Sequence, residues 1–136
     1  MSAHGPLLVH HLGVFVTDFA AAEEFWTAAL APLGIVPGYR ADGLAEYWHD
    51  GHDTPSLALQ HVTDPAAETR GLHLAFAART HTQVDAFHRA ALAHGGADRY
   101  APRHWEEYRA YCAFVSDPVG NNVEALVKEE RGVGPV

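Results

Sequence analysis

Cysteine is nearly absent from this 136-residue chain, where Cys112 stands alone. A single thiol excludes an intrachain disulfide and suits a reducing compartment. Lysine is as scarce: Lys128 is the only one, which excludes a P-loop and argues against Schiff-base chemistry. Basic charge as a whole is thin, 9 Lys and Arg against 17 Asp and Glu, for a formal net charge of −8. Such a domain repels phosphate backbones and no local basic stripe offsets it, so nucleic acid is not an expected partner. No apolar run approaches the roughly 18 residues of a membrane-spanning helix. Residues 1–6 lack the basic and apolar regions of a signal peptide. The expectation is a soluble, cytoplasmic protein with no membrane partner.

Hydrophobic residues make up 48% of the chain, enough to build a packed interior and to exclude whole-chain disorder. Histidine is over-supplied, with eleven against nine Lys and Arg together. Sliding the chain by 62 residues superposes two segments: His-Leu-Gly-Val-Phe-Val from His11 falls on His-Leu-Ala-Phe-Ala-Ala from His73. In the same register Phe25, Leu30 and Gly34 fall on Phe87, Leu92 and Gly96. The coincident alanines carry little weight in an alanine-rich chain, but His-Leu, Phe, Leu and Gly together read as a repeat.

Each copy opens with a strand, over 9–16 and 72–78. Alternation puts Leu12, Val14 and Val16 on one face and His11, Gly13 and Phe15 on the other; Leu72, Leu74 and Phe76 likewise oppose His73, Ala75 and Ala77. A helix follows each strand. The first is capped by Thr17 or Asp18, with Phe19, Ala22, Trp26, Ala29, Leu30 and Leu33 at helical spacing. The second is capped by Thr80 or Thr82, with Val84, Phe87, Ala91 and Leu92 facing inward. Gly34 and the Gly95-Gly96 pair stand where helix C-caps expect glycine. Strand-like runs follow at 44–49 and 56–62, then at 108–116 and 122–127, with weaker ones at 36–40 and 97–102. Asp-Pro-Val-Gly from Asp117 reads as a turn, and 64–70 as a linker. Each half therefore reads β-α-β-β-β. At about 60 residues neither buries much core alone, so the two should fold together.

A lone strand histidine is most often structural. Here His11 and His73 occupy equivalent places on open strand faces. Late in each half an apolar strand carries one polar side chain, Gln60 or Glu124. The spacings are near-equal, 49 residues from His11 to Gln60 and 51 from His73 to Glu124. A pseudo-twofold axis would gather all four. Two imidazoles and a carboxylate form a facial triad suited to Fe, Mn, Ni or Zn, with positions left for substrate. A Glu124 flanked by apolar residues needs such compensation. His10 is the rival to His11, but alternation points it to the opposite face.

Three segments carry a family resemblance: His-Leu-Gly-Val-Phe-Val-Thr-Asp from His11 ahead of Phe25-Trp26, Gly-Leu-His-Leu-Ala-Phe around His73, and Phe-Val-Ser-Asp-Pro-Val-Gly-Asn-Asn-Val-Glu ending at Glu124. In that order and spacing the chain resembles the vicinal oxygen chelate superfamily, which includes glyoxalases, extradiol dioxygenases, fosfomycin-resistance enzymes and bleomycin-resistance proteins. The resemblance implies an α+β fold of paired βαβββ modules forming a curved mixed sheet around a cleft, and a homodimer. It implies one such domain over 1–136, with modules at about 7–63 and 71–128 and a flexible tail at 129–136. It also implies a divalent metal at His11, His73 and Glu124. Glyoxalase I enzymes carry glutamate where this chain has Gln60. An amide is a weaker ligand and no base, which argues against lactoylglutathione-lyase activity and leaves Glu124 as the candidate catalytic group. The turn has Val119 where the family usually has Asp, a change that carries no functional meaning.

Two functions are expected from these residues. One is a metal-dependent enzyme, lyase-like or dioxygenase-like, on a small substrate with vicinal oxygens. The other is a metal-free protein sequestering an antibiotic, with Phe15, Trp48, Trp105, Tyr108 and Tyr111 as candidate pocket aromatics. Residues 104–108 read as a solvated loop or a lid. Cys112 reads as core filler.

Overall fold

The computed structural model describes residues 8–52 and 55–129; the expected tail from 130 onward, and His4, lie outside them. Ten main elements follow one another: β1 (Leu12–Val16), α1 (Phe19–Leu30), β2 (Ile35–Ala41), β3 (Leu44–His49), β4 (Pro55–His61), β5 (His73–Ala77), α2 (His81–Ala93), β6 (Ala97–Trp105), β7 (Ala110–Ser116) and β8 (Asn122–Lys128). The two weakest strand expectations are thus full strands, β2 and β6. The 64–70 linker contains a short 3₁₀ turn at Pro65–Ala67, and residues 104–108 close β6 and form another at Glu106–Tyr108.

Each repeat builds one four-stranded mixed sheet, ordered β1-β4-β3-β2 and β5-β8-β7-β6. β1 runs parallel to β4 and β5 to β8, while the remaining pairs are antiparallel. A parallel partner needs a crossover, and the helix after β1 or β5 supplies it. Among the described residues the modules do not hydrogen-bond into one continuous sheet.

Asp18 caps α1 through Ala21 N at 3.1 Å, and Thr80 caps α2 through Gln83 N at 3.1 Å. The helices lie against each other, and the inner faces of both sheets close on them as one core. Repeat-equivalent Phe25 and Phe87 are both 0% exposed, as are Ala29 and Ala91, so the 62-residue repeat is a repeat of core positions. Burying each phenylalanine contributes roughly 1.5–3 kcal/mol. Leu92, expected inward, is 38% exposed. It sits one residue, about 100° of helical turn, past the buried stripe of Val84, Phe87 and Ala91. Gly34 and Gly95 take the left-handed conformation, at φ +78° and +97°. Gly96 serves differently: a Cβ there would lie 2.7 Å from Ala91 O and 2.8 Å from Phe25 Cε1.

The linker is stitched down. Thr69 brackets Phe15, accepting from its N through Oγ1 at 2.8 Å and donating its own N–H to Phe15 O at 2.9 Å. Glu68 accepts from Thr17 N at 2.8 Å and Thr17 Oγ1 at 3.0 Å, which holds its carboxyl below the usual range. No helix among the described residues is long and apolar enough to cross a membrane.

Candidate functional site

On β7 and β8, alternation sends Ala113, Val115, Val123 and Ala125 into the core. The other face presents Ala110, Cys112 and Phe114 beside Glu124, Leu126 and Lys128. With His73 from β5 and Tyr108 from the preceding turn, these residues line a cavity of about 350 Å³. Glu124 is 7% exposed at its wall. His73 Nε2 donates to Glu124 Oε1 at 2.8 Å, the strong kind of hydrogen bond a buried carboxylate requires. Burial, reinforced by the charge of and a hydrogen bond to Glu124, pushes the Cys112 thiol up to about 11. Cys112 is therefore a neutral wall of the cavity and not a nucleophile.

The Asp-Pro-Val-Gly-Asn turn places this pair. Buried Asp117 accepts from Val119 N at 3.0 Å and Asn121 N at 2.8 Å, with Gly120 at φ +101°. Buried Asn121 then reaches across to β5, accepting from Leu72 N at 3.0 Å and donating to Thr69 O at 2.9 Å. The turn thus sets β8 against β5 so that Asn122 stands opposite His73 and Glu124 opposite Ala75. Asn122 Oδ1 is buried with no protein partner.

The first module differs. β1 begins at Leu12, so His10 and His11 precede the strand instead of lying in it. Continuing the register would set His10 against Pro55, which has no N–H for a ladder. Both histidines are exposed, with their Nδ1 atoms 2.9 Å apart and one ring donating to the other. Gln60 stands opposite Phe15, and Ala58 opposite Gly13. Gly13 is the repeat partner of Ala75, so Ala58 occupies the register place of Glu124 and Gln60 lies two residues further on. The Gln60 amide leans back, however: a Cβ on Gly13 would meet its Nε2 at 3.0 Å. Glycine here lets the amide cross β1 on the His11 side. Trp48 lies on Gly38, where a Cβ would approach its ring to 2.1 Å. Phe15 is exposed on the Gly13 face of β1.

Within one chain, His11 and Gln60 share no hydrogen bond, ion pair or ring contact with His73 or Glu124. Among the described residues no three His, Cys, Asp or Glu converge as metal ligands. Both histidine faces turn away from the shared core, and the helices lie between the sheets. Tyr111, expected in the pocket, lies on the inner face: it stacks on His81 at 4.0 Å and donates to Asp85 Oδ1 at 2.6 Å. Strand alternation puts it opposite in sense to Cys112 and Phe114. Tyr108 lines the cavity. Trp105 stands behind it, packed on Phe114 with ring centroids 5.4 Å apart and covered by Arg103 at 3.4 Å. Phe114, Cys112 and Lys128 are not among the candidate site residues that the sequence offers. The signal was available in the period-two alternation of β7 and β8, which fixes them on the face of Glu124.

A second, apolar cavity of about 700 Å³ lies between the sheet edges β1 and β5, where Leu12 and Ile35 face Leu72, Leu74 and Phe76.

A model of the glyoxalase-like domain matches residues 11–126. The chain belongs to that family. The glyoxalase-like domain places it in the vicinal oxygen chelate superfamily. It is similar to a glyoxalase/bleomycin resistance protein from Albidiferax ferrireducens T118, at 31% identity over 90% of this chain and 99% of that one, with a TM-score of 0.75. A glyoxalase-related enzyme from Fulvimarina pelagi shares 20% identity over 88% and 87% of the chains at a TM-score of 0.67. A glyoxylase/bleomycin resistance protein/dioxygenase domain from Frankia sp. EAN1pec shares 18% over 96% of each at 0.69. These last two likenesses speak to the fold alone. No curated protein matches the chain significantly.

For this glyoxalase-like domain, the buried Glu124 carboxylate and its imidazole partner on the cavity wall are donors whose chemistry suits a cation.

Proposed function

We propose that this protein is a cytoplasmic, metal-dependent enzyme acting on a small substrate with two adjacent oxygens. The single observation that carries the reading is the buried Glu124 carboxylate, 2.8 Å from His73 Nε2 in a cavity open to ligand. His73 and Glu124 would hold a divalent ion of the Fe, Mn, Ni or Zn type, joined by His11 and, as a weaker donor, Gln60. When bound there, such an ion would supply Lewis-acid polarisation of the substrate's oxygens. Glu124 is the one buried carboxylate on the cavity wall and therefore the group able to accept a proton there. Its bond to His73 keeps the imidazole oriented.

Because both histidine faces turn away from the shared core, we place the complete centre between two copies. His11 and Gln60 of one chain would meet His73 and Glu124 of the other across a homodimer. The apolar cavity beside β1 and β5 supports this, since a second copy would cover its leucine and phenylalanine walls. Elemental analysis of purified wild type, His73→Ala and Glu124→Ala tests the centre. The wild type should carry stoichiometric metal and both variants little; equal metal in all three overturns the proposal.

The second reading is a metal-free sequestering protein, supported by the observation that among the described residues no three His, Cys, Asp or Glu converge. Wild type purified without metal, yet binding a planar glycopeptide-type drug at micromolar concentration, would select it.

A further inference from the structure

The cavity of the second module has two chemically different ends. Along β8 the outward residues are Glu124, Leu126 and Lys128, and across from them on β7 stand Phe114, Cys112 and Ala110. With a rise of about 3.3 Å per residue, the Cα atoms of Glu124 and Lys128 lie roughly 13 Å apart. The floor therefore runs from an acid–imidazole pole, through Leu126 and the neutral Cys112, to an ammonium pole. Phe114 and Tyr108 add aromatic surface along it.

Lys128 is the only lysine of a chain carrying a net charge of −8. Its Nζ donates to the backbone carbonyl of Tyr108. That partner is neutral, and two further N–H donors remain. Among the described residues no carboxylate pairs with Lys128. Neighbouring Glu129 is turned the other way, to His104 at 3.1 Å and His81 at 3.5 Å. A cation on a cavity wall with no acidic partner among the described residues, in a protein with acid to spare, is a place for an anionic group of the ligand. One ammonium matches one negative charge, which suits a carboxylate better than a phosphate dianion.

From this polarity we infer the substrate class. The cavity takes a small, flat, monoanionic molecule whose vicinal oxygens lie toward His73 and Glu124 and whose carboxylate lies toward Lys128. The apolar middle rests on Phe114 and Leu126. Lys128 is then the residue that selects the anionic end. This assignment rests on the proposed metal-centred reading for the oxygen-bearing end only; the tail preference is independent of it.

Three probes with one head and different tails separate the two: 3,4-dihydroxybenzoate, 4-methylcatechol and 3,4-dihydroxybenzylamine. Their dissociation constants are measured by calorimetry on wild type, Lys128→Gln and Lys128→Glu, with metal content determined on the same preparations. Wild type should favour the anionic tail over the neutral one by about five- to tenfold, with the cation weakest, as for one partly screened charge pair. Lys128→Gln should erase the ranking and Lys128→Glu should invert it, both with wild-type metal content. An unchanged ranking in Lys128→Gln overturns the assignment of Lys128. Metal-free wild type that still ranks the tails in this order would instead overturn the metal reading and leave the tail site standing.

Discussion

Replacing Gly96 by alanine sets one methyl group against two modules at once. Its Cβ would lie 2.7 Å from Ala91 O, 2.8 Å from Phe25 Cε1 and 3.1 Å from Ser116 O. Ala91 O is helix backbone and Phe25 belongs to α1 of the other repeat, fully buried, so neither can yield cheaply. Overpacking of this kind costs about 1–3 kcal/mol, and two unyielding contacts place Gly96→Ala near the upper end. The control is Gly95→Ala. Gly95 has φ +97° but an open surround, with Pro118 Cγ at 3.8 Å; its cost is backbone strain, about 1–2 kcal/mol. Urea unfolding followed by tryptophan fluorescence and far-ultraviolet circular dichroism reads both. With a slope of about 1–3 kcal/mol per molar, Gly96→Ala should lower the midpoint by about 1–3 M with the slope unchanged. The two probes should remain coincident, because the modules share one core. A Gly96→Ala protein as stable as wild type would refute the packing argument, and separate transitions for the two probes would refute the shared core.

Other consequences are as direct. With its thiol near 11, Cys112 should alkylate with iodoacetamide at pH 8 about 100-fold more slowly in the native protein than in urea; equal rates would remove it from the buried wall. Glu68, held below the usual carboxylate range by Thr17, stabilises the fold above that range and loses the contribution as pH falls through its native value. Thermal melts from about pH 5 to pH 3 should therefore drop less steeply in Glu68→Gln than in wild type. Asn121→Ala should cost about 1–3 kcal/mol, since it strands the Leu72 N–H and the Thr69 carbonyl. Unchanged stability there would mean that the turn does not position β8.

Much of this fold was legible before any coordinates. Period-two alternation in the first and fifth strands, helical spacing around Phe25 and Phe87, and the 62-residue repeat together mark the elements and their inner faces. Those are local properties, dictated by which side chains must leave water. The site was legible in part, because His73 and Glu124 sit on strands whose partners and register follow from one conspicuous turn. Pairing between strands is a different matter: the two-residue difference between Gln60 and Glu124 depends on how β4 and β8 slide against their neighbours. Nothing within either strand records it. Tyr111 was misplaced because a tyrosine suits either face, and only its place between Ala110 and Cys112 decides. How the modules meet was hidden too, since a repeat describes each unit and not the surface joining them.

The arrangement of the centre across two copies is the central claim, and mixed dimers test it most directly. His11→Ala and Glu124→Ala chains are each denatured, mixed in equal amounts, refolded with metal and analysed for bound ion. If the ligands come from different chains, half of the dimers are mixed, and each of these has one site with no mutation. Bound metal should then recover to about a quarter of the wild-type level, from near zero in either variant alone. If His11 and Glu124 of the same chain make the site, every site stays defective and the mixture binds no more than its parents. That result would contradict the account.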